Sequence, residues 1–96
     1  MAEYSDLKVY DEMISELKDF STNVTEACEG MKAQGNACVQ ILNDNVSMNA
    51  LKRIVKTIKR YQSAVEKANQ LAVTLQQERD ELEEILKKSE RMGEEE

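Results

Sequence analysis

Proline, histidine and tryptophan are absent from this chain, and glycine occurs only three times in 96 residues. Without proline, nothing in the backbone forbids a helix from running on, and so few glycines leave little material for repeated tight turns. The missing histidine removes the usual general base and the commonest metal ligand. One phenylalanine and three tyrosines are too few aromatics for a dense globular core. Two helices pressed together then leave much of each apolar stripe wet, so self-association or a partner is expected.

No run approaches the roughly 18 apolar residues of a membrane span. The stretch from Met1 to Asp6 lacks the basic and then apolar regions of a signal peptide. The expected location is therefore the cytoplasm, with export by a route that reads no cleavable signal peptide as the alternative. Cys28 and Cys38 lie ten positions apart, which is about 15 Å on one helix and far beyond the roughly 7 Å limit for a disulfide. Both are expected as small packed residues rather than a redox pair or metal ligands, since no Cys-x-x-Cys spacing exists.

What the chain does have is charge and periodicity. A third of the residues are charged and the net charge is −6, which argues against general affinity for phosphate backbones or anionic lipid. From Leu7 the apolar residues recur at steps of three and four through Tyr10, Met13 or Ile14, Leu17, Phe20, Val24, Ala27 and Met31. After a gap at Gln34 and Gly35 the phase resumes at Cys38, Ile41 and Leu42. A second stripe runs Leu51, Ile54 or Val55, Ile58, Tyr61, Val65, Ala68, Ala72, Leu75, Leu82 and Leu86, with Arg79 as its one charged interruption. Such stripes are the seams of helical bundles. Between them Asn43 to Asn49 is rich in Asn, Asp and Ser, which favour turns and caps over helix interiors.

The fold class predicted is all-α: a single-domain antiparallel two-helix hairpin that pairs into a four-helix bundle. Its helices are expected over about residues 6–43 and 49–91, joined by a turn over 44–48 and followed by a frayed acidic tail. Ser5 and Asp6 are the expected caps of the first helix, and Ser47 or Asn49 those of the second. Gly30, Gly35 and Asn36 weaken the first helix by about 1 kcal/mol per glycine, but the stripe keeps its phase across them, so a continuous helix is expected. Each arm is expected to be roughly 55 to 60 Å long, with Ala68 and Ala72 opposite the small residues of the first arm.

Charge divides the chain lengthwise. Residues 1–30 carry −6, residues 31–62 carry +5 and residues 63–96 carry −5. Lys52, Arg53, Lys56, Lys59 and Arg60 crowd the start of the second helix, where acids are favoured. A hairpin places its own two acidic ends side by side. Antiparallel pairing of two hairpins relieves this, because each basic tip then meets an acidic end, and these five residues are the expected electrostatic partner contacts. Nucleic-acid binding is not expected: only Tyr61 stands among the basic residues and no binding motif is present.

No catalytic constellation exists without histidine, a glycine-rich loop or a nucleophile beside a base. Glu78, Asp80, Glu81, Glu83 and Glu84 lack the Glu-x-x-His partners of di-iron bundles and read as a hydrated face. No enzyme activity, cofactor or metal is expected. The residues expected to carry protein binding are Tyr10, Ile14, Leu17, Phe20, Val24, Met31, Cys38 and Ile41 on the first arm, with Leu51, Ile54, Ile58, Tyr61, Val65, Leu75, Leu82 and Leu86 on the second.

This plan resembles the WXG family of small type VII secretion proteins, the early-secreted-antigen-like proteins, over about Leu7 to Leu86. The resemblance is one of architecture. Val46-Ser47-Met48 stands where the family's turn carries Trp-x-Gly, and Leu86-Lys87-Lys88-Ser89-Glu90 has Leu at the aromatic position of the Tyr-x-x-x-Asp/Glu export motif. The resemblance implies a homo- or heterodimer with another helical hairpin, or with the helical N-terminal domain of a secreted effector. It also implies a role as that effector's partner or targeting factor, with the other chain carrying the missing signal. The competing reading from periodicity alone is a cytosolic coiled-coil adaptor or assembly protein unrelated to secretion.

Overall fold

The computed structural model describes residues 2–95, with side chains as far as Gly93. Over that range the chain forms two helices, α1 (Tyr4–Leu42) and α2 (Asn45–Glu95), packed against each other as an antiparallel hairpin. Helix α1 runs unbroken through Gly30 and Gly35, as the phase of its stripe requires.

The start of α1 lies slightly upstream of the expected cap. Glu3, in extended conformation, precedes the first turn, and its backbone N–H donates to Asp6 Oδ2 at 2.8 Å. Asp6 thus serves from the third helical position, as the returning half of a capping box, and not as the cap itself.

The reversal is tighter than the expected turn over 44–48. Asn43 takes the left-handed conformation (φ 46°, ψ 47°), and its N–H closes on the Val39 carbonyl at 2.8 Å. Asparagine tolerates this region better than other residues with a Cβ. Asp44 then caps α2: its Oδ1 accepts from the Ser47 N–H at 2.7 Å, and its carbonyl accepts from the Met48 N–H at 3.1 Å. One left-handed residue and one cap suffice to reverse the chain. Ser47, expected as a cap, is instead buried inside α2, and Asn49 is an exposed helical residue. At the other end, α2 continues to Glu95, beyond the expected stop near 91; the acidic run Glu94 to Glu96 has side chains outside the described residues.

The arms are unequal. At 1.5 Å per residue, the 39 residues of α1 span about 58 Å and the 51 residues of α2 about 76 Å. The molecule is a rod of 78 × 15 × 14 Å.

The expected facing of small against small is not observed. With the reversal at Asn43 and Asp44, each α1 residue faces an α2 residue about three positions farther from the tip, so Ser21 meets Asn69 and Asp11 meets Arg79. Ala72 therefore packs with Ile14 and Leu75, flanked by Tyr10 and Leu17. A Cβ built on Gly35 would lie 2.8 Å from Leu51 Cδ1 and 3.5 Å from Ile54 Cδ1. Ala72 and Gly35 thus each receive large side chains and not small ones. Gly30 has no neighbour within 4 Å of such a Cβ.

Among the described residues, Leu7, Ile14, Cys28, Ile58, Ala68, Ala72 and Leu75 are buried apolar ones, and none is completely enclosed. Burying Ile14 or Ile58 is worth roughly 1.5 to 3 kcal/mol. A single seam between two helices has no second layer to close it.

Candidate protein-binding groove

The two sides of this seam differ in chemistry. On one side a shallow groove is lined by Val9, Tyr10, Met13, Leu75 and Leu82 near the open end. It continues through Leu17, Phe20 and Leu71, then Val24, Ala27, Met31 and Tyr61. Near the tip it ends on Cys38, Val46, Ala50, Leu51 and Ile54. The opposite side is lined near its middle by Thr25, Glu29, Lys32, Gln62 and Glu66. One face of the rod is thus mainly apolar over its length, interrupted by Asp6, Glu16, Gln34 and Glu78, whereas the other face mixes Cys28, Ile58 and Val65 with polar and charged side chains at mid-rod.

This placement sorts the residues that periodicity singled out. Ile14, Ile58 and Leu75 are buried between the hairpin's own helices. Tyr10, Leu17, Val24, Met31, Leu51, Ile54, Val65, Leu82 and Leu86 are half-buried at the seam. Phe20, Cys38, Ile41 and Tyr61 stand exposed. Cys28 is packed as expected, whereas Cys38 is exposed in the groove; both are free thiols. Val9, Met13 and Leu71 also present large apolar side chains to this face. Leu71 lies outside the expected stripe, whose three-and-four spacing passes from Ala68 to Ala72. Its signal in the sequence is a second apolar residue beside Ala72, which widens the stripe.

The basic residues do not line the groove. At 100° per residue, Lys52, Arg53, Lys56, Lys59 and Arg60 fall within a sector about 120° wide, turned away from Ile58 and hence from α1. All five are exposed. Arg53 and Arg60 lie toward the groove's rim, while Lys52, Lys56 and Lys59 lie beyond the reach of a body seated in it.

Arg79, the charged interruption of the second stripe, sits within the seam. Its Nε donates to Asp11 Oδ1 at 3.0 Å across to α1, and its Nη1 pairs with Glu83 and with Asp80. Glu83 also accepts from Lys87 at 3.1 Å. Hydrogen bonding to Glu83 and then Asp11 raises the guanidinium's pKa. The Glu83 carboxyl is held below its ordinary value by Lys87 first and Arg79 second. Near the open end the Tyr4 hydroxyl donates to Glu90 at 2.8 Å, which pushes the phenol up. Polar links across the acidic end thus offset part of its crowding.

Fold and face together define a helical hairpin with one unpartnered apolar side. No family model, curated protein or solved structure matches the chain.

Proposed function

We propose that this chain is a non-enzymatic protein-binding module whose apolar groove is filled by a second helical hairpin, giving a four-helix bundle. The observation that carries this reading is the one-sided groove, with Phe20, Met13, Leu71 and Tyr61 exposed along it. Its scale agrees. A compact chain of 11.0 kDa would expose about 5,600 Å² by the surface scaling of folded monomers, whereas this rod exposes 7657 Å². The excess, roughly 2,000 Å², is comparable to a stable protein interface.

The partner is a second copy or the helical N-terminal domain of a larger effector. Architecture alone supports placing the chain among the small type VII secretion partners, as a targeting factor for such an effector. A neighbouring gene for an effector of that kind, or for a membrane export ATPase, separates this role from a cytosolic adaptor.

Light scattering at low micromolar concentration tests the binding reading. The expected mass is twice 11.0 kDa for the chain alone, or that of a one-to-one complex with the coexpressed effector domain. Phe20→Asp removes either assembly while leaving helix content unchanged, because Phe20 is 42% exposed in the hairpin and an unpaired charge is tolerated there only until the groove is covered. Ile58→Asp is a poorer probe, since Ile58 is buried in the seam itself. A chain that stays single and elutes apart from the effector domain overturns the proposal.

A further inference from the structure

The tip carries a second apolar surface, which meets the groove only at Val46. Ile41 is 79% exposed, Leu42 60% and Val46 78%, and Met48 is exposed as well. Val46 and Met48 flank the buried Ser47, so at 100° per residue they lie on opposite sides of α2. A single helix seated in the groove covers Val46 and leaves Met48 bare, whereas a surface met by the end of the rod covers both.

Directly behind this apolar end, about 10 to 22 Å along α2, lies the outward basic stripe from Lys52 to Arg60. The one acid at the tip, Asp44, is engaged in capping through Ser47. The nearest acid on α1 is Glu29, about 21 Å from the tip, and on α2 it is Glu66, about 9 Å beyond Arg60. Residues 31–62 carry +5 and charges act over roughly 8 Å at physiological salt, so the tip half of the rod presents a positive field although the net charge is −6. The lengthwise division of charge orients the rod with its tip toward any anionic surface.

We propose that the tip docks obliquely on an anionic lipid surface. Ile41, Leu42, Val46 and Met48 enter the boundary of the acyl region, and the outer face of α2 rests its lysines and arginines on the headgroups. Nucleic acid satisfies the basic stripe but has no use for the apolar end. An acidic protein needs a socket to accept a convex end. A bilayer supplies both chemistries on one plane. The contact is peripheral, since among the described residues no helix is long and apolar enough to cross a membrane.

Sedimentation of the full chain with unilamellar vesicles tests this, comparing phosphatidylcholine alone with phosphatidylcholine mixed with phosphatidylglycerol. Binding is expected only to the mixed vesicles, with loss in high salt. Lys56→Ala with Lys59→Ala weakens it by about 30-fold, from two charges at the usual worth of a surface lysine, and Ile41→Ser with Val46→Ser weakens it comparably. The chain has no tryptophan, so Val46→Trp gives a single emitter that shifts to the blue on the mixed vesicles, while Met92→Trp does not. Phe20→Asp leaves vesicle binding intact, which separates this surface from the groove. Absence of binding to both vesicle types, or an equal blue shift at positions 46 and 92, overturns the proposal. Full vesicle binding by the Ile41→Ser/Val46→Ser variant, displaced by polyglutamate, also overturns it and assigns the stripe to an acidic protein instead.

Discussion

Asn43 and Asp44 reverse the chain by two different means, one through a left-handed backbone and the other through a side chain that accepts from the free Ser47 amide of α2. Hydrogen bonding from Ser47, side chain first and backbone N–H second, holds the Asp44 carboxyl below its ordinary value. A folded pKa below the unfolded one means that the stabilisation is complete above about pH 4 and is lost as pH falls through the folded value. Asp44→Ala is therefore expected to lower Tm at neutral pH, and the gap to the parent chain narrows as pH falls below about 4. Thermal melts followed by circular dichroism across pH 2 to 7 check this, and a gap that widens in acid contradicts it. The glycines give a paired test. Gly30→Ala meets open space and gains about 1 kcal/mol of helix propensity, raising Tm by about 4–8 °C. Gly35→Ala gains the same propensity but must displace Leu51, so its Tm falls below that of Gly30→Ala.

At the scale of the helices, Arg79 decides how the acidic ends of α1 and α2 lie together. It answers Asp11 on one helix and Glu83 and Asp80 on the other, where an apolar side chain would leave Asp11 and Asp80 without this cation and Glu83 with Lys87 alone. Arg79→Ala is expected to lower Tm in low salt, and the loss shrinks in about 1 M salt, where the screening length falls to roughly 3 Å. Melts of both chains over a salt series measure it; a loss independent of salt would mark Arg79 as a packing residue acting through its alkyl stem. The Glu83 contribution follows the same acid limb as Asp44, present above the ordinary glutamate range and lost as pH falls.

At the scale of the whole molecule, a rod 14 to 15 Å thick cannot enclose a core. Most of its apolar side chains are divided among three surfaces, the seam, the groove and the tip, while Val73 and Ile85 stand exposed elsewhere. The seam holds the hairpin together, the groove is the surface proposed for another hairpin, and the tip meets the groove only at Val46. Covering the groove is expected to raise Tm with protein concentration, because a partner that binds only the folded chain stabilises it by mass action. Melts at increasing concentration, with Phe20→Asp as the insensitive control, check that dependence.

The sequence by itself determined the helical class, the continuity of α1 through its glycines and the reversal near residue 44, because a 3.6-residue period and a cluster of turn formers are local properties. It also marked Ile14, Ile58 and Leu75 as apolar positions without telling which partner covers them. Tertiary structure alone decided that the turn needs only Asn43 and Asp44, that Ser47 goes inside the helix, and that Gly35 receives Leu51. It also decided that one side of the seam is mainly apolar, and that the basic residues turn away from it. Each depends on the register and rotation of α2 against α1, and those angles are fixed by side chains far apart in the chain packing together, which no local period encodes.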